Sequence, residues 1–167
     1  SLSNAQTVAK IDDFVRSHPN GSPFHLTAWS HGVEKSCGHK AYYLVAVDGA
    51  GEVAGVLPLT LVQSMFFGKA MVSAAFAVDG GILADSPMAA AALAERAIAL
   101  VTEKGIASLE MRGGTHPDGW RIDGDSYVGF KRDLANDDEG ELLKIPRKQR
   151  AEVRRALGHG LEVEVGT

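Results

Sequence analysis

"SPMAAAALAERAIALVTEKGIASLEM", Ser86 to Met111, decides the fold class. Ser86 is a helix cap followed at once by Pro87, which suits the first helical position because no backbone N–H is needed there. The helix predicted from that start runs to Lys104 and stops at Gly105, and "IASLEM" follows it as a short strand. Leu93, Ala97, Ile98, Leu100 and Val101 give the helix a broad apolar face suited to lying on a sheet. Upstream, "AYYLVAV" (41–47), "EVAGVLPLTLVQ" (52–63) and "KAMVSAAFAV" (69–78) read as strands of an antiparallel meander. The first two are joined by "DGAG", whose residues tolerate a positive φ in a hairpin turn. Two helices precede them. One spans Ala5 to Ser17, with Val8, Ile11, Phe14 and Val15 at helical spacing. The other follows Thr27 as its N-cap, carries Ala28, Trp29, Val33 and Cys37 on one face, and ends at Gly38. Downstream, "RGGTHPDGW" (112–120) is a loop and "SYVGFKRDL" (126–134) another strand. Strands, a long crossover helix and more strands predict an α/β (α+β) fold: a mixed, mostly antiparallel sheet flanked by helices, rather than a bundle or barrel.

A chain of 167 residues can bury one full core. With 45% hydrophobic residues and a formal net charge of −4, it is typical of globular proteins and unsuited to holding nucleic acid by bulk charge. Cys37 is the single cysteine, so no internal disulfide is available; that and the absence of a basic-then-apolar leader pattern fit a cytoplasmic setting. The longest apolar runs fall short of the roughly 18 residues that a spanning helix needs. His18, His25, His31, His39, His116 and His159 are scattered without a metal-ligand spacing, so no metal is expected; no resident cofactor is expected either.

Charge is distributed unevenly. "IPRKQRAEVRRALGHGLEVEV", Ile145 to Val165, gathers five basic residues within nine positions, and Pro146 to Thr167 carries a net +2 against −6 before it. "NDDEGE" opens a short helix, and Pro146 starts a new one over Arg147 to Leu157. On that second helix Arg147, Lys148, Arg150, Arg154 and Arg155 share one broad arc opposite Val153, Ala156 and Leu157. Arg147 and Lys148 sit at the helix N-terminus, the end that disfavours cations, and a bound anion would remove that penalty. Arginine forks meet phosphate or carboxylate in bidentate fashion, so the arc is a candidate anion site, with a plain solvated face as the alternative. The change in composition marks a junction: a first domain over 1–145, and the opening helix and "LEVEV" strand of a second over 146–167.

"RALGHG" (155–160) has the letters of the R-x-x-G-x-G pattern that holds the pyrophosphate of acyl-CoA, but the pattern works where a strand leads into a helix. Here a helix leads into a predicted strand, so the glycines read as a C-cap and turn. "GDSYVG" misses the nucleophile-elbow spacing because Val128 stands where glycine is required. The double glycine after the predicted strand lets Arg112 to His116 border a pocket, or form a plain surface loop.

Three segments together resemble the Fem family of peptidoglycan bridge-forming aminoacyltransferases, and most closely its FemAB-related members associated with PEP-CTERM/exosortase systems. They are "FHLTAWSHGVEKSCG" (24–38), "GKAMVSAAFAVDGGILAD" (68–85) and the basic stretch 145–165. The resemblance implies a GNAT-like fold, with two such modules in a complete member transferring an acyl or aminoacyl group to an amine. The donor would be aminoacyl-tRNA, or acyl-CoA in the alternative of a CoA-dependent N-acetyltransferase. The partner would be an anionic cell-envelope precursor, with Arg147, Lys148, Arg150 and Arg154 as substrate-binding residues and Lys35 and Arg112 as further candidates. The first module without its second is expected to be inactive, and the catalytic base is not identified. Where many members carry Ile-Asp-Pro, this chain has Met111, Arg112 and Gly113, which leaves an exopolysaccharide-related acceptor open beside a peptidoglycan one. A nonenzymatic anion- or RNA-binding module using the basic helix is the third reading.

Overall fold

The computed structural model describes residues 4–64, 68–130, 132–162 and 164–165. The chain divides into two compact units, Ser1–Arg121 and Ile122–Thr167.

The first unit holds α1 (Ala5–Ser17), a 3-10 turn (Pro23–His25), α2 (Thr27–Cys37), β1 (Lys40–Val47), β2 (Val53–Ser64), β3 (Gly68–Ser73), β4 (Leu83–Ala84), α3 (Pro87–Glu103) and β5 (Ser108–Glu110). The strands lie in the order β1-β2-β3-β5, with β4 also paired to β2. All pairs are antiparallel except β3 with β5, which are parallel and joined through α3. This is the mixed sheet flanked by helices that the pattern predicts. α3 begins and ends where its signals place it: Ser86 Oγ accepts from the Ala89 N–H at 3.2 Å, and Gly105 takes φ 60°.

β2 is buried on both faces, which explains its near-continuous apolar run. Leu57, Leu59 and Leu61 pack with Leu93, Ala97 and Leu100 of α3, whereas Val56 packs with Ile11 and Val15 of α1. The same alternation sends Tyr42 and Leu44 of β1 to the α3 side and Tyr43 and Val45 to the α1 side. A proline inside such a strand is normally excluded, because it cannot donate to the ladder. Pro58 is tolerated because of its position. The β3 ladder ends at Leu59 opposite Ser73 and the β4 ladder begins at Val56 opposite Leu83, so Pro58 faces the gap between them. Its carbonyl accepts from the Ala74 N–H at 3.1 Å on that edge, the edge to which a strand residue's own N–H would also point.

Local expectations change in four places. β3 ends at Ser73 rather than Val78, because Ala74 and Phe76 adopt φ 40° and 62° and turn the chain out of the sheet. Thr27 is not the cap of α2 but its first residue. Asp12 on α1 does the capping, its Oδ1 accepting from both the backbone N–H and the hydroxyl of Thr27 at 3.0 Å. The buried residues of α2 are Thr27, Ser30 and Val33, while Ala28 and Cys37 are exposed. The described residues of 126–134 and of "LEVEV" form no strand, since no sheet edge in their unit pairs with them; Lys131 and Val163 lie outside the described residues.

The second unit contains α4 (Asp138–Lys144) and α5 (Arg147–Leu157), and no described residue in it is buried. Asp137 caps α4 by accepting from the Gly140 N–H at 2.6 Å. Arg132 grips Glu141 with both terminal guanidinium nitrogens. The predicted junction at Ile145 and Pro146 falls between the two helices.

Candidate functional site

In a sheet of this kind, ligands gather beyond the carboxyl ends of parallel strands, where the connecting loops diverge. β3 and β5 are the parallel pair, ending at Ser73 and Glu110. The loops that leave them, 74–82 and 111–119, carry the chemistry of the first unit.

The loop after β3 opens with a tight turn closed by the Ala77 N–H on the Ala74 carbonyl at 3.1 Å. Within it Ala74 and Phe76 hold left-handed φ values, at about 1–2 kcal/mol for each residue that has a side chain. Two donors pin the turn from either side. The indole N–H of Trp29 binds the Ala75 carbonyl at 3.1 Å, and Nη1 of Arg112 binds the Ala77 carbonyl at 3.0 Å. Trp29 is itself set by an edge-on contact with Phe24, ring centroids 4.8 Å apart. The turn thus presents Phe76, 61% exposed, and Val78, 88% exposed. The Phe76 ring lies nearly parallel to His39, 5.9 Å between centroids and 19° between planes.

Behind this turn two double glycines interlock. A Cβ on Gly81 would lie 2.0 Å from the Gly113 carbonyl oxygen, and one on Gly114 would lie 2.6 Å from the Ile82 oxygen. The segments "DGG" (79–81) and "RGG" (112–114) are therefore glycine-rich because two backbones touch. The Thr115 N–H extends the contact to the Ile82 carbonyl at 3.3 Å. The glycines after β5, read from the sequence as bordering a pocket or forming a plain surface loop, pack against the backbone of Gly81 and Ile82.

Arg112 ties the two loops together. Its backbone N–H binds Ser73 Oγ at 2.8 Å, its Nε binds Glu110 at 2.6 Å, and its Nη1 reaches the Ala77 carbonyl. Asp79 accepts from the Gly80 N–H at 2.7 Å. Beneath lies His25, 2% exposed, with Nε2 3.2 Å from the Gly81 carbonyl and Nδ1 accepting from the Ser22 N–H. These partners select the tautomer with hydrogen on Nε2. Burial lowers its pKa, against smaller opposing effects of the Gly81 carbonyl and Asp79. The Tyr43 hydroxyl donates to the His25 carbonyl, and burial raises its pKa, with Asp12 adding to the effect.

The other predicted site residues belong to other elements. Lys35 is exposed on the last turn of α2, four positions before His39. Arg147, Lys148, Arg150 and Arg154 belong to α5 in the second unit. Arg150 turns back on the preceding helix, its Nη2 binding the carbonyls of Leu143 and Ile145 at 3.2 and 3.1 Å. Arg155 pairs with Glu152 at 2.9 Å. Arg147, Lys148 and Arg154 are exposed and have no ion-pair partner among the described residues. In "RALGHG" the Gly158 N–H binds the Arg154 and Arg155 carbonyls and the His159 N–H binds that of Ala156. Those amides close the end of a helix and are not free to cradle a phosphate. Among the described residues no group of three or more His, Cys, Asp or Glu is placed to hold a metal, and no helix is long and apolar enough to cross a membrane.

No family model matches the sequence, and no curated protein matches it significantly. Solved structures do match. A ribosomal-protein-alanine N-acetyltransferase from Brucella melitensis biovar Abortus 2308 superposes with a TM-score of 0.50 at 15% identity, covering 75% of this chain and 94% of its own. A transcriptional regulator from Bacillus halodurans C-125 superposes with a TM-score of 0.52 at 14% identity, covering 79% and 96%. The fold is GNAT-like. At such identities the likeness concerns architecture alone. Within this GNAT-like unit, Arg112 is a candidate from the sequence, whereas its joint hold with Trp29 on the turn and the exposed Phe76 escaped sequence reasoning, although the paired double glycines were a visible signal of close backbone approach.

Proposed function

We propose that the GNAT-like unit belongs to a FemAB-like acyl- or aminoacyltransferase that acts on an amine of a cell-envelope precursor, and that its donor is not acyl-CoA. The observation carrying this reading is the connection from β3 to α3. A phosphate cradle needs a short turn that aims free backbone donors at the anion from a helix N-terminus. Here thirteen residues, 74–86, separate strand from helix and include β4. The start of α3 is already capped by Ser86, and Asp85 beside it adds a negative charge. A pyrophosphate would meet repulsion rather than a nest of donors.

In the proposed reaction the acceptor amine attacks the donor's ester carbonyl. A C–N bond forms, the C–O bond breaks, and the proton lost by nitrogen leaves with the departing alcohol. Asp79 and Glu110 are the carboxylates at the loop edge. Asp79 accepts from Gly80 through Oδ1 and Glu110 pairs with Arg112 through Oε1, and either carboxylate is a candidate base. Arg147, Lys148 and Arg154 of the second unit are the proposed contacts to the anionic part of the acceptor, and Lys35 of the first unit is a separate candidate. The test is an assay of the complete gene product with radiolabelled aminoacyl-tRNA and amine-bearing envelope precursors, beside calorimetry with acetyl-CoA. Transfer from the tRNA ester and no heat with acetyl-CoA are expected. Micromolar acetyl-CoA binding with acetyl transfer would overturn the reading.

A second reading, a binding module for RNA or another polyanion, draws on Arg147, Lys148 and Arg154, which have no ion-pair partner among the described residues. Under it, changing Arg147, Arg150 and Arg154 to glutamate abolishes salt-sensitive polyuridylate binding, with no acyl transfer by the parent protein.

A further inference from the structure

We propose that Phe76 and His39 form a ledge on which a pyranose ring of the acceptor stacks, with Arg112 and Glu110 placed to meet its hydroxyls; this rests on the envelope-precursor reading above. Phe76 occupies a turn position, φ 62°, where glycine or asparagine is favoured, and its ring is 61% exposed. The fold does not need the ring there. The turn is held by the Trp29 and Arg112 hydrogen bonds to the carbonyls on either side of Phe76. An aromatic side chain kept outward in a strained backbone position points to recognition.

The neighbours define the ligand class. His39 stacks nearly parallel to the ring and backs it, while Phe76 stays 61% exposed, so the ring is an open shelf rather than a socket. Beside it the Arg112–Glu110 pair is partly exposed, 36% and 57% by side chain. An aliphatic chain or apolar protein surface laid on the ledge would strip water from that ion pair without replacing its hydrogen bonds. A bare anion would find Arg112 already matched by Glu110 at 2.6 Å. A neutral ring with an apolar C–H face and a rim of hydroxyls satisfies both surfaces, and a pyranose is that ligand.

The test titrates tri-N-acetylchitotriose into the full chain and reads saturation-transfer NMR on the sugar, together with thermal melts. Saturation of ring C–H protons is expected. Phe76→Gly should weaken binding at least about tenfold while leaving Tm within about 2 °C of the parent or above it, since glycine relieves the turn. Phe76→Tyr should retain binding. No saturation transfer with the parent, equal binding by Phe76→Gly, or a large fall in its Tm would each overturn the proposal. No sugar binding by the parent protein with intact aminoacyl transfer defeats the ledge alone, whereas sugar binding without any transfer defeats the enzymatic reading and leaves the ledge standing.

Discussion

At the residue scale, His25 links the fold to pH. Its ordinary pKa of 6.5 is lowered by burial, so below that value the unfolded chain takes up a proton that the folded chain refuses. Stability is therefore unaffected by this group above pH 6.5 and falls as pH drops below it, until the folded pKa is reached. Urea melts between pH 7.5 and 5 should show this loss, at up to about 1.4 kcal/mol per pH unit. His25→Gln can keep one acceptor and one donor without titrating, and should flatten the slope in that window; an unchanged slope assigns the acid sensitivity to other groups. Nothing in the sequence singles out His25 from the other five histidines, because its burial arises from the 3-10 turn and the Gly81 carbonyl, 56 positions away. Arg112 was legible as a site candidate, and its contacts also brace the two loops. Its partners Ser73 and Ala77 become neighbours only when β3 and β5 pair.

At the element scale, helices whose signals are local came through with their ends. α1, α3 and α5 match the residues predicted for them, because caps, prolines and glycines act within a turn or two of chain. α2 shows the limit of that reasoning. Its cap comes from Asp12 on another helix, a contact that no window of sequence around Thr27 contains. Asp12→Ala should cost about 1–2 kcal/mol, since it leaves both the Thr27 N–H and hydroxyl unpaired in a partly buried corner. Denaturant unfolding measures it, and Thr27→Ser, which keeps the hydroxyl, should cost much less. The strands divide in the same way. β1 and β2 were legible from alternation and a hairpin turn, whereas β4 is two residues long and exists only because β3 turns away and leaves part of β2 unpaired. The predicted strands after residue 122 had suitable patterns, but the described residues of their unit include no strand for them to join.

At the scale of the whole molecule, the fold class was legible because a capped crossover helix between strands admits few architectures. The proposed anion-binding role of α5 was legible only as charge. The structure distinguishes Arg150, which braces α4, from Arg147, Lys148 and Arg154, which are exposed without ion-pair partners among the described residues. Every buried apolar residue described lies at or before Ile106, within the first unit. A fragment ending at Arg121 should therefore unfold cooperatively with nearly the Tm of the full chain, as circular dichroism melts can check. A non-cooperative melt would mean that residues 122–167 contribute to the core.

The sheet also implies an order of assembly. β1 and β2 are joined by a five-residue turn, so their pairing closes a short loop, whereas Ala70 of β3 meets Ser108 of β5 only after α3 has been laid between them. Closing the longer loop costs more chain entropy, and the reward arrives late in folding. The parallel pair, together with the Phe76 turn that Arg112 pins to it, is then the last region to form and the first to open. An acceptor gripped at that edge would slow the protein's unfolding more than it speeds its folding, so the ligand would act as a kinetic lock on the part of the chain that assembles last.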